Sequence, residues 1–574
     1  MPLQMSPPKV SATDQPYRYD EKSDFKGGLN LRADQFNIAE NESPALLNVD
    51  VDPRGGVRRR DAVTKVNSTA LDDDIVSLIS HYEEGQNQVL AAVATATETK
   101  LLWNDDVTGD FDGTVSYGGT DVQFDTTQPP RGVTFNGYTY VVNGKFLTST
   151  GHTTYSVVRW SGADGSTALA TPDIDGSDGH FPNARYTTTW AEYIWVAYTL
   201  ESGTTHKNRV RWSKVNVAEN WTAADYIDID IGEDGDHITA IIPDADRLLV
   251  FKENSIYAIY GFSSDSFEVR NITRTAGCRD GSQPVAATAG IFFWYAEEGI
   301  YLLSYDALAW AFERIKPAMT YDVGQPALTL GTAPSLMWFD ERLWVSVDYQ
   351  SDDNVSGSNQ NNRRNVFVWD PSLTETGAWM RHDINARSLL AYRPTGDTHL
   401  GIAATSVITD VAEFNRISKL DQNADVDDYG AGSADEIVSY YQTGWFIGNR
   451  PTFPKRWGKT RTVLLADNNL RIYMYIYKDY DLSGWVSPAY YKDITGMDSP
   501  ATWDTDPSGS GDGVWDTSEW QAAGTSDRYL FARWPTVGTA QAISLRFKVS
   551  PSVSLRGKWG VTSIIGMYRT RRLR

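Results

Sequence analysis

Thr134-Phe135-Asn136-Gly137-Tyr138-Thr139-Tyr140-Val141 is the stretch on which the fold turns. Asn-Gly between two runs of aromatic and β-branched residues is the strongest short-range signal for a two-residue β-hairpin. The phrase returns in altered form as Met337-Trp338-Phe339-Asp340-Glu341-Arg342-Leu343-Trp344-Val345-Ser346 and as Ile242-Pro243-Asp244-Ala245-Asp246-Arg247-Leu248-Leu249-Val250-Phe251. Each is an apolar strand, a tight polar turn and a second apolar strand. Between such copies lie further alternating runs, among them Ile75–Ile79, Tyr193–Tyr198 and Leu470–Tyr477. Gly, Asn and Asp collect between the runs, which is turn chemistry. Helical spacing is confined to Asp34–Leu47 and Asp306–Phe312. The sequence therefore predicts an all-β protein.

From residue 66 to about 415 the hairpins recur as a degenerate repeat. At about 45–50 residues per four-stranded unit they predict a β-propeller of six or seven blades. A stack of β-sandwiches is the competing arrangement. Three regions follow: an extended N-terminal arm at 1–65, the propeller at 66–420 and a β-sandwich-like domain at 437–574. The stretch 420–436 is rich in Asp, Asn, Gly, Ala and Ser, a linker composition. The last region carries strand patterns near 437–447, 460–478, 529–534, 541–549 and 559–569. The arm carries Gly27-Gly28, Pro44, Pro53 and Gly55-Gly56 with little alternation, so it reads as chain laid on something else.

Composition narrows the function. The chain has 574 residues, 52 Lys and Arg against 74 Asp and Glu, and a net charge of −22. Hydrophobic residues make up 41%, enough for a large core, and aromatics 12%. No apolar run reaches about 18 residues, so no membrane span is expected, and the polar, Pro-containing N-terminus does not read as a secretory signal. A single cysteine, Cys278, excludes an internal disulfide framework. The acidic balance argues against a surface that wraps DNA, which needs many phosphate-neutralising cations.

No enzyme constellation emerges. The seven histidines are scattered, no phosphate-binding Gly loop ends in Lys-Ser/Thr, and no Gly-x-Ser-x-Gly elbow is present. Cys278, in Ala276-Gly277-Cys278-Arg279-Asp280, has no neighbouring His in sequence and reads as a buried, inert thiol. Two acidic stretches, Asp173 to Asp178 and Asp504 to Asp512, alternate carboxylates and hydroxyls as a Ca²⁺ loop would, and Asp228, Asp230, Glu233, Asp234 and Asp236 form a third cluster. The first two lack the closing bidentate Glu at the twelfth position. Solvated turns are the simpler reading of all three, and no cofactor is expected, Ca²⁺ being the one cation the pattern leaves open. The Trp residues mostly sit inside strand patterns (Trp195, Trp294, Trp344, Trp369), where packing explains them. Basic residues cluster at Arg54, Arg58, Arg59 and Arg60 and again at Arg569, Arg571, Arg572 and Arg574. In so acidic a chain these read as docking contacts or, at the C-terminus, a solvated tail.

The arm is more specific. It reads Asp24-Phe25-Lys26-Gly27-Gly28-Leu29-Asn30-Leu31-Arg32, then Glu40-Asn41-Glu42-Ser43-Pro44-Ala45-Leu46-Leu47-Asn48-Val49-Asp50, then Arg54-Gly55-Gly56-Val57-Arg58-Arg59-Arg60. This resembles the N-terminal region of the tail-tube, nozzle or packaged-DNA stabilisation proteins of short-tailed phages. Leu248–Tyr257, Gly277-Cys278, Gly299–Leu302, and Val366–Asp370 with Trp379 resemble their central propeller. Thr443–Phe446, Lys455-Arg456, Trp559–Val561 and Met567-Tyr568 resemble their C-terminal domain. The resemblance implies a non-enzymatic virion protein, made in the host cytoplasm and built into the tail as a sixfold ring (the hub or nozzle) below the portal and adaptor. Such a ring lines the channel through which DNA is retained and ejected, without sequence-specific contacts. Gly27, Gly28, Leu29, Asn30, Arg58, Arg59, Arg60, Arg571, Arg572 and Arg574 are then the expected assembly contacts, and the channel wall should be acidic. The alternative, from another class, is a carbohydrate-binding or glycan-cleaving propeller for host attachment, resting on the aromatic content and unassigned carboxylates.

Overall fold

In the computed structural model every element of regular structure among the described residues is a β-strand. Described are residues 17–570 except for connecting segments, the longest being 144–154, 171–180, 305–311, 315–332, 349–363, 406–415, 428–436, 495–518 and 550–557. The chain divides into two compact units. One holds Met1–Arg60, Pro371–Arg381 and Glu436–Arg574; the other holds Asp61–Asp370 and His382–Asp435.

The second unit is the propeller. Seven antiparallel sheets of four or five strands follow one another among its described residues, besides a two-stranded one of Ser116–Tyr117 and Thr120–Asp121. Their first strands are Asp74–Glu83, Arg131–Phe135, Asn183–Trp190, Ile238–Asp244, Val285–Ala287, Ser335–Phe339 and Ala386–Tyr392. Each first strand lies against the next, and Ala386–Tyr392 returns to Asp74–Glu83, so the inner strands form a closed ring. The quoted hairpins open blades two, six and four. In blade two Phe135 pairs with Tyr138 across Asn136 (φ 49°) and Gly137 (φ 80°). Both central residues are left-handed, as a type I′ turn requires. Asp340 and Glu341 make the same turn between Phe339 and Arg342.

The apolar residues of these strands meet between blades. Trp195, Val210 and Trp212 of blade three pack with Leu248, Val250 and Ile259 of blade four. Leu249, Phe251 and Ala258 of blade four pack on Phe293, Tyr301 and Leu303 of blade five. Trp195 and Trp294 are fully buried, and Trp344 and Trp369 are 7% exposed. A strand buried on both faces must be apolar on both faces, which is why Ile-Phe-Phe-Trp at 291–294 does not alternate.

Blade seven is completed from the other end of the propeller segment. Its strands Ala386–Tyr392, Leu400–Thr405 and Ile417–Asp421 are joined by Ala62–Lys65, with Ala62 opposite Asp421 and Lys65 opposite Ser418. The Val63 N–H donates to Asp427 Oδ1 at 2.9 Å. The expected boundary at 65/66 thus cuts off the strand that closes the ring; four residues are too short to show a period.

The first unit is built from both ends of the chain. One sheet runs in the order Glu519–Gln521, Arg528–Ala540, Lys455–Ala466, Trp559–Thr570, Val57–Arg59 and Val49–Val51, with Arg18–Lys22 also paired to Trp559–Thr570. The other runs Leu46–Leu47, Ser439–Gln442, Ile543–Val549, Leu470–Lys478 and Tyr490–Ile494. The two meet through Trp534 and Phe547, whose rings lie 5.9 Å apart, and through Trp559 Nε1, which donates to Ser439 Oγ at 2.7 Å. The run expected at 460–478 is two strands in different sheets. The helix expected at Asp34–Leu47 does not form where residues 37–47 are described: Glu42–Ser43 and Leu46–Leu47 are strands, and Asn48 has φ 53°. Pro44 holds Ser43 out of the helical region. The second expected helix lies outside the described residues apart from Phe312, which begins a strand.

Val63→Pro is expected to destabilise the propeller by about 3 kcal/mol, because it deletes the donor to Asp427 in the closing strand. Thermal unfolding checks this, and an unchanged midpoint would mean that closure does not depend on that strand.

Candidate functional site

The inner strands surround an axial cavity of about 590 Å³. Blades one, two, five, six and seven supply its wall, through residues such as Ser77, Arg131, Ser335 and Arg387. The connection from blade four to blade five adds Arg279 and Asp280. Among the described lining residues the charged groups are three guanidinium groups and one carboxylate. The acidic excess of the chain does not lie along this cavity.

The Asp280 segment is held by several blades. Arg131, at the start of blade two, donates from Nη2 to Gly281 O at 2.9 Å and lies over the Tyr186 ring. Arg185 of blade three brings Nη2 to 2.8 and 2.7 Å from the two Asp280 carboxylate oxygens, and Tyr186 OH donates to Oδ1 at 2.8 Å. His237 Nε2 stands 3.8 Å from Asp280 Oδ2. Behind Asp280 the Cys278 N–H donates to Lys252 O at 2.9 Å, and the Arg279 N–H to Trp294 O at 2.7 Å. A Cβ on Gly277 would come within 2.2 Å of Lys252 O, so only glycine fits this approach.

The electrostatics follow from burial and partners. Burial raises the Asp280 pKa, but hydrogen bonds from His237, Tyr186 and Arg185 and the Arg185 charge outweigh it, so the carboxyl sits well below the usual carboxylate range. Burial lifts the Tyr186 phenol well above its usual value, and the Asp280 charge adds to that. Cys278 is fully buried, and burial pushes its thiol up to about 12 against the pull of Arg131. It is held as a thiol, not as a nucleophilic thiolate. Asp280 is the one carboxylate of the described cavity wall and is engaged by Arg185, so the two-carboxylate pair of a glycosidase is not assembled there.

The acidic cluster at the end of blade three and on the connection to blade four is likewise engaged. Asp228 accepts from Arg209 Nε at 2.7 Å and Nη2 at 2.8 Å. Asp230 accepts from Tyr257 OH at 2.6 Å and Arg274 Nη2 at 3.0 Å. Asp236 accepts from the Asn254 N–H and Ser255 Oγ. Glu233 and Asp234, and the stretches 173–178 and 504–512, lie outside the described residues.

The residues expected to make assembly contacts are placed differently from one another. Gly27 donates its N–H to Asn41 O, and Gly28-Leu29 pairs in parallel with Glu42-Ser43. Gly28 has φ 65°, and a Cβ there would lie 2.6 Å from Trp379 O. Leu29 is buried, and Asn30 Nδ2 donates to Glu42 Oε2 at 2.7 Å. Arg59 and Arg60 are 3% and 2% exposed, and Arg60 Nε donates to Asn48 Oδ1 at 2.8 Å. These side chains build the first unit from within. Val57–Arg59 is a paired strand, so Arg58 faces the opposite side from Arg59 and is exposed. Arg571, Arg572 and Arg574 lie outside the described residues. Sequence reading missed Arg131, Arg185 and His237, which carry no motif. The Cys278 phrase, which ends on Asp280, was the one available pointer.

No family model and no curated protein matches the sequence. Solved structures match it in shape at low identity. The extracellular domain of a hybrid two-component system from B. thetaiotaomicron is 11% identical with a TM-score of 0.36, covering 65% of this chain and 42% of its own. BamB from Moraxella catarrhalis is 9% identical with a TM-score of 0.33, covering 66% and 92%. An exo-β-1,3-galactanase from Phanerochaete chrysosporium is 9% identical with a TM-score of 0.26, covering 87% and 99%. Likeness at this level assigns no function, and the propeller rests on its own sheet order.

Asp280→Asn is expected to cost on the order of 3 kcal/mol at neutral pH, by leaving buried Arg185 without its carboxylate. Because the folded pKa of Asp280 is depressed, its stabilisation is complete above the unfolded value of about 3.9 and is lost as pH falls below it. The variant should therefore lose less stability than the wild type between neutral and acid pH, as read by thermal unfolding at stepped pH. Equal slopes would show that the pair does not couple to folding.

Proposed function

We propose that the chain is a non-enzymatic structural protein of a phage tail. In this reading six copies form a hub or nozzle ring below the portal and adaptor, and DNA passes through the ring on ejection. The observation that carries it is the arm phrase from Asp24 to Arg60 together with where its residues sit. Phrases far apart in sequence that carry the resemblance, and residues next to them, meet inside the first unit. Gly28 abuts the Trp379 backbone, Lys22 lies 5.0 Å from the Phe446 ring centre, and Gly560 sits against Val57 O. The Trp457 and Tyr568 ring centres lie 5.2 Å apart, with the rings tilted by 46°. The arm, which reads in sequence as chain laid on something else, pairs with the C-terminal region of its own chain.

Charge supports the same reading. DNA in transit must not be held, and Lys or Arg contacts to phosphate create tight, salt-sensitive sites. A net charge of −22 disfavours such retention. Ring subunits also need head-to-tail interfaces that close by rotation, for which exposed Arg54 and Arg58 remain candidates.

Native mass measurement of the purified chain, with imaging of the particle that carries it, tests the proposal. A sixfold ring on the tail axis is expected. A strictly monomeric chain, or one absent from the tail, would overturn it.

A further inference from the structure

Arg131 opens blade two, is 7% exposed and lines the axial cavity. Its Nη2 donates to Gly281 O at 2.9 Å, and its guanidinium carbon lies 5.2 Å from the Tyr186 ring centre. Neither partner is a carboxylate, and Arg131 has no ion pair among the described residues. The charges around it are matched to one another. Arg387 brings Nη1 to 2.6 Å from Asp74 Oδ2. Arg185 takes both Asp280 oxygens, and Tyr186 OH donates to one of them. His237 stands 3.8 Å from Asp280 on one side and 3.8 Å from Glu253 on the other. Burial lowers the Arg131 pKa from the usual arginine value, and the Asp280 charge offsets this only in part.

A buried charge needs a partner. Other ionisable groups can escape by changing protonation, but an arginine cannot. Arg131 therefore stays charged where burial disfavours charge, and with Arg185 it shares the single carboxylate of Asp280. What it lacks is one negative charge. Two amides flank the place where that charge would sit. Gln128 lies three residues before Arg131 and Gln283 two residues after Gly281, and both line the cavity. Gln128 is half-buried and Gln283 exposed, and neither amide has a partner among the described residues. Leu78, Leu336 and Trp338 add apolar wall.

We infer that the axial cavity binds a small organic monocarboxylate, whose carboxylate pairs with Arg131 and whose body takes hydrogen bonds from Gln128 and Gln283. This is independent of the tail reading. Charge and volume select the occupant. One unmatched guanidinium calls for one negative charge, and a planar carboxylate is its geometric complement. A phosphate monoester carries about two charges at neutral pH, one more than Arg131 lacks. A cavity of about 590 Å³ is of small-molecule size and far larger than a bare ion needs. A neutral polyol could use the amides but would leave Arg131 unpaired.

The test is calorimetric titration of the full chain with sodium gluconate, a monocarboxylate whose hydroxyl groups can meet both amides. Saturable binding at one site per chain is expected, and it should persist in excess sodium chloride. Arg131→Gln should weaken it about tenfold or more, and Gln283→Ala about threefold. Arg131 also holds Gly281, so thermal midpoints are measured alongside. Gln283 is exposed, and its variant should keep the wild-type midpoint. Arg131→Lys keeps the charge and should weaken binding less than Arg131→Gln does. Glucose and inorganic phosphate are run in parallel. No saturable binding of gluconate, binding unchanged in Arg131→Gln or in Gln283→Ala, displacement by chloride, or equal or tighter binding of glucose or phosphate would each overturn the inference.

Discussion

The propeller depends on the pairing of Ala62–Lys65 with Ile417–Asp421. A sheet that ends without a partner leaves a row of backbone donors and acceptors facing water or an unwanted neighbour. Here the last sheet takes its outer strand from the chain that precedes the first, so the ring is tied by hydrogen bonds between its two ends. The axial cavity exists because that ring closes. The same pairing sets Ala62 opposite Asp421. Residues 17–60 and the region after 436 supply strands to common sheets, as Arg18–Lys22 and Val57–Arg59 do with Trp559–Thr570.

The aromatic content has two physical settings. Most of the Trp in the propeller strands lies in the layers between blades, where flat rings fill the space between twisted sheets. A smaller group, around Tyr473 and Trp485, stands on an outer sheet face among cations. Composition alone cannot separate the two, because burial is a property of the partner strand and not of the residue. Charge behaves in the same way. A chain with net charge −22 has an axial cavity whose charged groups along the described wall are three arginines and one aspartate, and its acidic cluster between blades three and four is engaged by Arg209, Arg274, Tyr257 and Ser255.

Local chemistry was the readable part. Asn136-Gly137 and Asp340-Glu341 announced hairpins because a two-residue turn requires left-handed backbone, and the flanking strands follow from alternation. Signals failed where distant chain decides. Asp34–Leu47 carries helix-like spacing, but Leu46-Leu47 pairs with Tyr440-Tyr441. The tract 460–478 looks continuous, but its two halves pair in different sheets. Arg58, Arg59 and Arg60 look alike in sequence, yet strand alternation exposes Arg58 and buries Arg59, and Asn48 captures Arg60.

By itself, then, the sequence determined an all-β chain of repeated hairpins with a strand-rich C-terminal region, because turn residues and side-chain period act within a few residues. Tertiary structure alone decided that seven of the described sheets form a ring, that Ala62–Lys65 closes it, and that the arm is part of the C-terminal core. It also decided that Arg131, Arg185 and Asp280 meet at the cavity wall. Each of these rests on hydrogen bonds or ion pairs between residues far apart in the chain, whose partners no local pattern names.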